Sequence, residues 1–170
     1  LALVRQLDPG KCYLKIGKEL FTRCGPTIVE QTRNLGFEIF LDLKFHDIPN
    51  TCAKAVRAAA DLGVWMVNVH ASGGRAMMEA AREAIEQSAS RPLLIGVTVL
   101  TSLETRELVE VGFTDESRQL VSRLAGMTQD CGLDGVVCSP KEAMMLREQS
   151  GGGASLVTPG LLPADRDSYD

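Results

Sequence analysis

The stretch FEIFLDLKFHDIPNT, residues 37–51, ends an apolar strand pattern with charged side chains. Asp42 and Lys44 stand two positions apart near the carboxyl end of that pattern. Side chains two apart on a strand share one side of a sheet, so Asp42 and Lys44 are predicted to point together and Leu43 and Phe45 to the other side. The pattern therefore predicts a polar site at the carboxyl end of a buried strand.

The same strand-then-helix pattern recurs along the chain. Six short apolar runs predict strands at 12–16, 38–43, 65–69, 93–99, 135–138 and 155–158. Their starts are 26, 27, 28, 42 and 20 residues apart, which is the spacing of βα units. Strands of nearly continuous apolar character are typical of a parallel sheet covered by helices. The sequence therefore predicts an α/β protein.

Two architectures use this repeat, a doubly wound open sheet and a (β/α)8 TIM barrel. An open sheet usually carries a glycine-rich phosphate loop, and neither G-x-G-x-x-G nor G-x-x-x-x-G-K-[ST] follows a predicted strand. Scaling six units to eight gives about 227 residues, close to the roughly 250 of a typical barrel. We therefore expect one domain over residues 1–170, an incomplete (β/α)8 barrel with about six of eight units. It is expected to lack the first strand and the last βα unit.

Proline and glycine mark the expected helix ends. Pro26 and Gly36 bracket one predicted helix, and Asn50 is the predicted N-cap of a second helix that ends at Gly63. Further helices are predicted at 74–87, 115–131 and 140–149, with a short extra helix inside TSLETRELVEVGF, residues 101–113.

Composition narrows the possible partners and compartments. The 18 basic and 22 acidic residues leave a net charge of -4, which gives no general footprint for nucleic acid or anionic lipid. Five scattered cysteines favour a reducing compartment over a disulfide framework. The longest apolar run, residues 92–100, is far shorter than the roughly 20 residues of a membrane helix. We expect a soluble, cytoplasmic protein with no nucleic-acid or membrane partner.

A second strand carries charge at the same end. Lys15 occupies the carboxyl end of the first predicted strand, and Lys18 and Glu19 are expected in the loop after it. Neighbouring strands lie roughly 4.8 Å apart, so Lys15, Asp42, Lys44 and Asp47 are expected to form one network of alternating charge. A lysine held in such a network could donate a proton to a bound ligand. The alternative interpretation is a salt-bridge cluster that closes one end of a barrel.

Six motifs share an order and spacing with one enzyme family. KIGKELF, DLKFHDIPNT, VNVHASGG, VTVLTS, GLDGVVCS and VTPG together resemble the bacterial type of orotidine 5'-phosphate decarboxylase over nearly the whole chain. The resemblance implies a barrel homodimer that converts orotidine 5'-monophosphate to uridine 5'-monophosphate and CO2 in pyrimidine biosynthesis. It also implies that the reaction uses no metal or organic cofactor.

The resemblance assigns roles to particular residues. Lys44 is implied as the proton donor to C6 of the pyrimidine, Asp42 as the neighbour of the departing carboxylate, and Lys15 as a ribose contact that also holds the charge network. The resemblance further implies that Asp47 is catalytic and reaches the partner's site with Thr51. The implied substrate contacts also include Ile48, Thr101, Ser102 and Pro159.

Departures from the family leave alternatives open. Leu162 stands where the family carries a phosphate-binding arginine. Arg166 is a candidate replacement for that arginine, but no motif aligns it with the family's position. A magnesium-dependent sugar-phosphate decarboxylase or aldolase shares the Asp-x-Lys-x-x-Asp spacing, and a degenerate, non-catalytic barrel is a further alternative. Because the first strand and the last βα unit are expected to be missing, the chain is expected to be a fragment that is inactive alone. His46 and His70 lack the spacing of metal ligands, so no metal site is expected.

Overall fold

Six parallel strands form one sheet in the order in which they occur along the chain. The computed structural model describes residues 1–161. Its strands are β1 (Leu14–Gly17), β2 (Ile39–Phe45), β3 (Met66–His70), β4 (Leu93–Val97), β5 (Gly135–Val137) and β6 (Ser155–Val157). Each strand pairs in parallel with the next one. A doubly wound sheet reverses its strand order at a switch point, so this order identifies an incomplete (β/α)8 barrel and confirms that prediction.

Seven helices accompany the strands of the described chain. They are α1 (Lys18–Cys24), α2 (Thr27–Arg33), α3 (Pro49–Asp61), α4 (Arg75–Glu86), α5 (Thr105–Glu110), α6 (Ser117–Asp130) and α7 (Ala143–Ser150), with short 3-10 turns at Val4–Gln6 and Ala71–Gly73. None of the helices within residues 1–161 is long and apolar enough to span a membrane.

Two helix starts differ from the predictions. Lys18 and Glu19 begin α1 instead of forming a loop, and Gly25, with a φ of 62°, separates α1 from α2. Asn50 is not an N-cap, because α3 already begins at Pro49. Proline suits a first helical position, since its fixed φ is helical and its missing N–H would have had no helical partner.

The strands separate two apolar layers. On the outer face, Leu41, Val67 and Leu94 are completely buried against the helices. On the inner face, Phe40, Met66, Ile95, Val97 and Val137 pack together inside the barrel. Side chains two positions apart on a strand share a face. Asp42, two residues after Phe40, and Asn68, two residues after Met66, therefore also lie on the inner face. The polar groups of the site therefore continue the inner core toward the carboxyl ends of the strands.

Gly135 stands where β5 runs against β6. A Cβ atom added at Gly135 would collide with the backbone carbonyl of Ser155, whereas one added at Gly126 in α6 would meet only the flexible end of Gln149, at 3.2 Å. We expect Gly135→Ala to lower the free energy of unfolding by about 1–3 kcal/mol, because the strands must separate. Gly126→Ala should be neutral or raise it by up to about 1 kcal/mol. Denaturant unfolding measures both values, and equal effects would contradict the close-approach argument.

Candidate active site

Two lysine ammonium groups hold one buried carboxylate where β1 and β2 end. Lys44 Nζ lies 2.7 Å from Asp42 Oδ1, and Lys15 Nζ lies 3.0 Å from Asp42 Oδ2. The Asp42 side chain is 8% exposed, whereas those of Lys44 and Lys15 are 27% and 53% exposed. The structure thus brings together three of the four predicted charged residues, and both oxygens of the carboxylate are occupied.

The Asp42 carboxylate is stabilised in its ionised form. Burial raises the pKa of this group, but hydrogen bonds from Lys44, Asn68 and Lys15 outweigh burial and place the pKa below its ordinary value. Donors that bind the charged form of an acid favour that form. Asp42 therefore presents a fixed negative charge between two ammonium groups at neutral pH.

The backbone of β2 is irregular at this point. Leu41 pairs with Val67 and Phe45 pairs with Val69, so three residues of β2 face a single residue of β3. Lys44 lies inside this bulge with a φ of 50°, the one positive φ of a non-glycine residue within residues 1–161. Bulges re-aim side chains, and a left-handed backbone costs such a residue about 1–2 kcal/mol. The contacts around Lys44 must therefore hold the strained conformation.

Asn68 belongs to the site, although the sequence motifs do not predict a role for it. It is completely buried on β3. Its Nδ2 donates to Asp42 Oδ1 at 2.7 Å, and its Oδ1 accepts from the backbone N–H of Lys44 at 2.8 Å. The available signal was a lone amide within the apolar run VWMVNV, because a buried polar side chain requires partners.

A cavity of about 250 Å³ opens beside the charged groups. Its lining combines the polar residues of β1, β2 and β3 with apolar side chains of the inner barrel. The lining residues are Lys15, Phe40, Asp42, Lys44, Asn68, Val97, Val99, Leu100, Thr101, Val137, Val157 and Pro159. Thr101 and Pro159, both implied by the resemblance, thus lie on the same cavity as the charged cluster. An apolar pocket with a few convergent polar groups is typical of small-molecule sites.

Four predicted site residues lie away from this cavity lining. Asp47, Ile48, Thr51 and Ser102 are all exposed. Asp47 Oδ1 accepts the backbone N–H of Ile48 at 2.7 Å. Among the described residues, Asp47 forms no ion pair with either lysine of the site, so the expected network of four charges contains three within one chain. Leu162 and Arg166 lie outside the described residues.

Comparison with known proteins identifies the family. A sequence profile described as the orotidine 5'-phosphate decarboxylase / HUMPS family matches residues 1–170. The chain belongs to this family. Membership of this family accounts for both the six motifs and the strand order of the chain.

Individual members of the family cover most of the chain. The orotidine 5'-phosphate decarboxylase of Hahella chejuensis is 63% identical over 161 residues, which cover 95% of this chain and 69% of the relative. That of Vibrio parahaemolyticus is 57% identical over 171 residues, covering 100% of this chain and 73% of the relative. The crystal structure of the enzyme from Lactobacillus acidophilus superposes with a TM-score of 0.89 at 38% identity, over 96% of this chain and 75% of that one.

Two histidines stack next to the site of this family member. The rings of His46 and His70 lie 5.4 Å apart, and both line a cavity of about 190 Å³ beside α5 and α6. Burial, together with the charges of His46, Lys18 and Lys44, lowers the pKa of His70 to about 4. His70 is therefore neutral at pH 7. Within residues 1–161, no three His, Cys, Asp or Glu side chains are grouped to hold a metal ion.

The low pKa of His70 makes stability depend on pH. An unfolded histidine titrates near 6.5, so the unfolded chain takes up this proton first as the pH falls from about 6.5 to 4. Wild-type protein should lose up to about 3 kcal/mol of stability over this window relative to His70→Phe, which does not titrate. Denaturant unfolding between pH 7 and 4 measures the difference. Parallel pH profiles for the two proteins would contradict the assignment.

Proposed function

We propose that this chain builds the active site of a carboxy-lyase that converts orotidine 5'-monophosphate to uridine 5'-monophosphate and CO2 in pyrimidine biosynthesis. The family and its named relatives support this reaction. The observation that carries the proposed mechanism is the contact of Lys15 and Lys44 with the buried Asp42 beside one cavity. In this proposal the chain forms part of a single barrel domain.

Lys44 is the proposed proton donor. Loss of CO2 leaves the bonding electron pair on C6 of the pyrimidine, where no adjacent carbonyl accepts it. A cation fixed at that carbon is then the available stabiliser, and preorganised charges of this kind lower reaction barriers strongly. The Lys44 ammonium is held by Asp42 at the edge of the cavity. It stabilises the developing charge and transfers its proton to C6, which completes the product.

Asp42 is proposed to act on the departing carboxylate. Two negative charges about 4 Å apart repel by on the order of 4 kcal/mol at an effective dielectric of about 20. Relief of this repulsion in the transition state would give about a thousandfold in rate. The low pKa of Asp42 supports this role, because only the ionised form repels. Additional acceleration comes from binding energy at the remote parts of the nucleotide.

The remaining cavity residues are proposed to orient the nucleotide. Lys15 contacts the ribose while it holds Asp42, Thr101 contacts the base, and Pro159 lines the pocket. Ser102 stands beside Thr101 on the same exposed segment and is proposed to contact the base when substrate is bound. This chemistry is assigned to side chains alone, with no metal or organic cofactor.

The active form is proposed to be a homodimer with shared sites. Asp47, Ile48 and Thr51 are exposed around the start of α3, next to the end of β2 that carries Lys44. Ile48 is 67% exposed, so its side chain is accessible to a ligand or a partner subunit. In the proposed dimer, Asp47 and Thr51 enter the partner's site, where Asp47 completes the network of four charges, and Ile48 contacts the substrate.

The protein is proposed to act in the cytoplasm, without nucleic-acid or membrane partners. All five cysteines are free thiols. Free thiols persist in reducing compartments, which fits an enzyme of nucleotide biosynthesis. The net charge of -4 likewise gives no general attraction to nucleic acid or anionic lipid.

Replacement of the proposed donor tests the mechanism. In the full-length protein, we expect Lys44→Ala to lower kcat for CO2 release by at least about a thousandfold, because both the cation and the proton are lost. The matched control is Lys11→Ala, which removes a lysine that is 83% exposed and that pairs, within residues 1–161, with Asp8 alone. Circular dichroism verifies that both variants fold. Retention of more than a tenth of wild-type turnover by Lys44→Ala would show that the donor is another group.

The same assay separates this reaction from the magnesium-dependent one. Turnover of orotidine 5'-monophosphate should be unchanged by EDTA, because the proposed chemistry uses no metal. Metal-dependent turnover of a keto-sugar phosphate, without decarboxylation of the nucleotide, would instead assign the chain to the other branch of the family.

Mixing two inactive variants tests the shared site. Lys44→Ala and Asp47→Asn should each be inactive, but an equimolar mixture should recover about a quarter of wild-type turnover after subunit exchange. Half of the randomly mixed dimers are hybrids, and each hybrid holds one intact site. Mass spectrometry of the native dimers confirms exchange. Hybrid dimers without activity would contradict sharing of Asp47.

A further inference from the structure

We infer that Asn68 is a positioning residue that holds Lys44 in its strained backbone conformation and thereby aims the Lys44 ammonium. This inference rests on the proposed function of Lys44. Asn68 is buried beneath the charged cluster, and both ends of its amide are engaged with that cluster. It belongs to β3, so it acts on β2 from the neighbouring strand.

The amide replaces the interrupted pairing of β2 with β3. Regular pairing stops after Leu41 and resumes at Phe45. Within this gap the backbone N–H of Lys44 donates to the side chain of Asn68 rather than to a backbone carbonyl. A buried N–H without a partner costs about 1–3 kcal/mol, so the side-chain acceptor makes the bulge tolerable. Asn68 therefore supplies the hydrogen-bond acceptor that the backbone N–H of Lys44 would otherwise lack.

The two ends of the amide fix its orientation. The Oδ1 end can only accept and faces the Lys44 N–H, while the Nδ2 end can only donate and faces the ionised Asp42. Asp42 Oδ1 in turn accepts from Lys44 Nζ. One closed circuit thus joins the backbone of Lys44, the amide of Asn68, the carboxylate of Asp42 and the ammonium of Lys44. Movement of any member displaces the ammonium.

The circuit acts on the chemical step more than on binding. A displacement of about 1 Å at a reacting group can lower a rate about a hundredfold. Asn68 lines the floor of the cavity, but the substrate contacts proposed above belong to other residues. Loss of the amide should therefore lower kcat with little change in KM.

Asn68→Leu tests the inference with a side chain of similar shape that has no polar atoms. We expect kcat to fall about 10- to 100-fold while KM changes less than about threefold. Thr98→Val is the matched control, since Thr98 is also buried and its hydroxyl donates to the Val137 carbonyl at 2.9 Å without touching the circuit. Thr98→Val should lower stability but leave kcat within about twofold.

Hydrogen exchange at the Lys44 amide gives a readout that does not depend on activity. The amide should be protected in wild-type protein and in Thr98→Val, and should exchange at least about tenfold faster in Asn68→Leu because its acceptor is gone. Unchanged protection would overturn the inference. Faster exchange with unchanged kcat would overturn it as well, because the bond would then exist without positioning the ammonium.

Asn68→Asp provides a conservative rescue. A protonated carboxyl keeps both an acceptor for the Lys44 N–H and a donor for Asp42, whereas the ionised form loses the donor and repels Asp42. The charged or titratable groups that face this position are Lys15 of β1, Asp42 and Lys44 of β2, and His70 farther along β3. The kcat of Asn68→Asp, divided by the wild-type kcat at the same pH, should therefore rise at least about threefold from pH 8 to pH 5.5.

The controls separate this inference from the proposed function. Asn68→Leu should show no recovery at low pH, and recovery equal to that of Asn68→Asp would overturn the positioning role. Failure of the proposed function would instead appear as retained turnover in Lys44→Ala, whatever Asn68 does. Loss of turnover in Lys44→Ala together with wild-type kcat in folded Asn68→Leu would overturn only the positioning role.

Discussion

A buried carboxylate must find donors for its charge, and the site of this protein is organised around that requirement. An ionised acid removed from water is unfavourable by several kcal/mol unless it is paired and hydrogen-bonded. Asp42 meets the requirement with a lysine from β1, a lysine from its own strand and an amide from β3. Three neighbouring strands are therefore held in one arrangement at their carboxyl ends.

The same arrangement prepares the site for its chemistry. In the proposed mechanism, Asp42 and Lys44 are already held in place before substrate arrives, so little reorganisation is needed when charge develops on the pyrimidine. The apolar inner core packs beneath them. Electrostatic interactions are stronger in such surroundings than in water. The contacts that stabilise the charged cluster are therefore the same contacts on which the proposed mechanism depends.

Periodicity explains why much of this structure is predictable from the sequence. Apolar runs identify all six strands, and alternation places Asp42 and Lys44 on one side of the sheet. The backbone of Lys44 is different, because its positive φ depends on a contact with β3 that no local pattern encodes. Asn68 is missed for the same reason, since a single amide in an apolar strand reveals its partners only in three dimensions. The proposed contacts of Asp47 with a partner subunit likewise involve a surface outside one chain.

The sequential order of the strands also keeps the charged groups of the site close along the polypeptide. Lys15, Asp42, Lys44 and Asn68 come from three consecutive strands, so residues 15–68 contain the complete charged cluster and its support. Contacts between consecutive units close shorter loops, and therefore cost less chain entropy, than contacts between units far apart in the sequence. The ribosome would deliver this segment before the residues of β4 to β6 that build the far wall. The charged cluster is thus a contiguous module whose members are all synthesised before the remaining residues of the cavity lining, from Val97 onward.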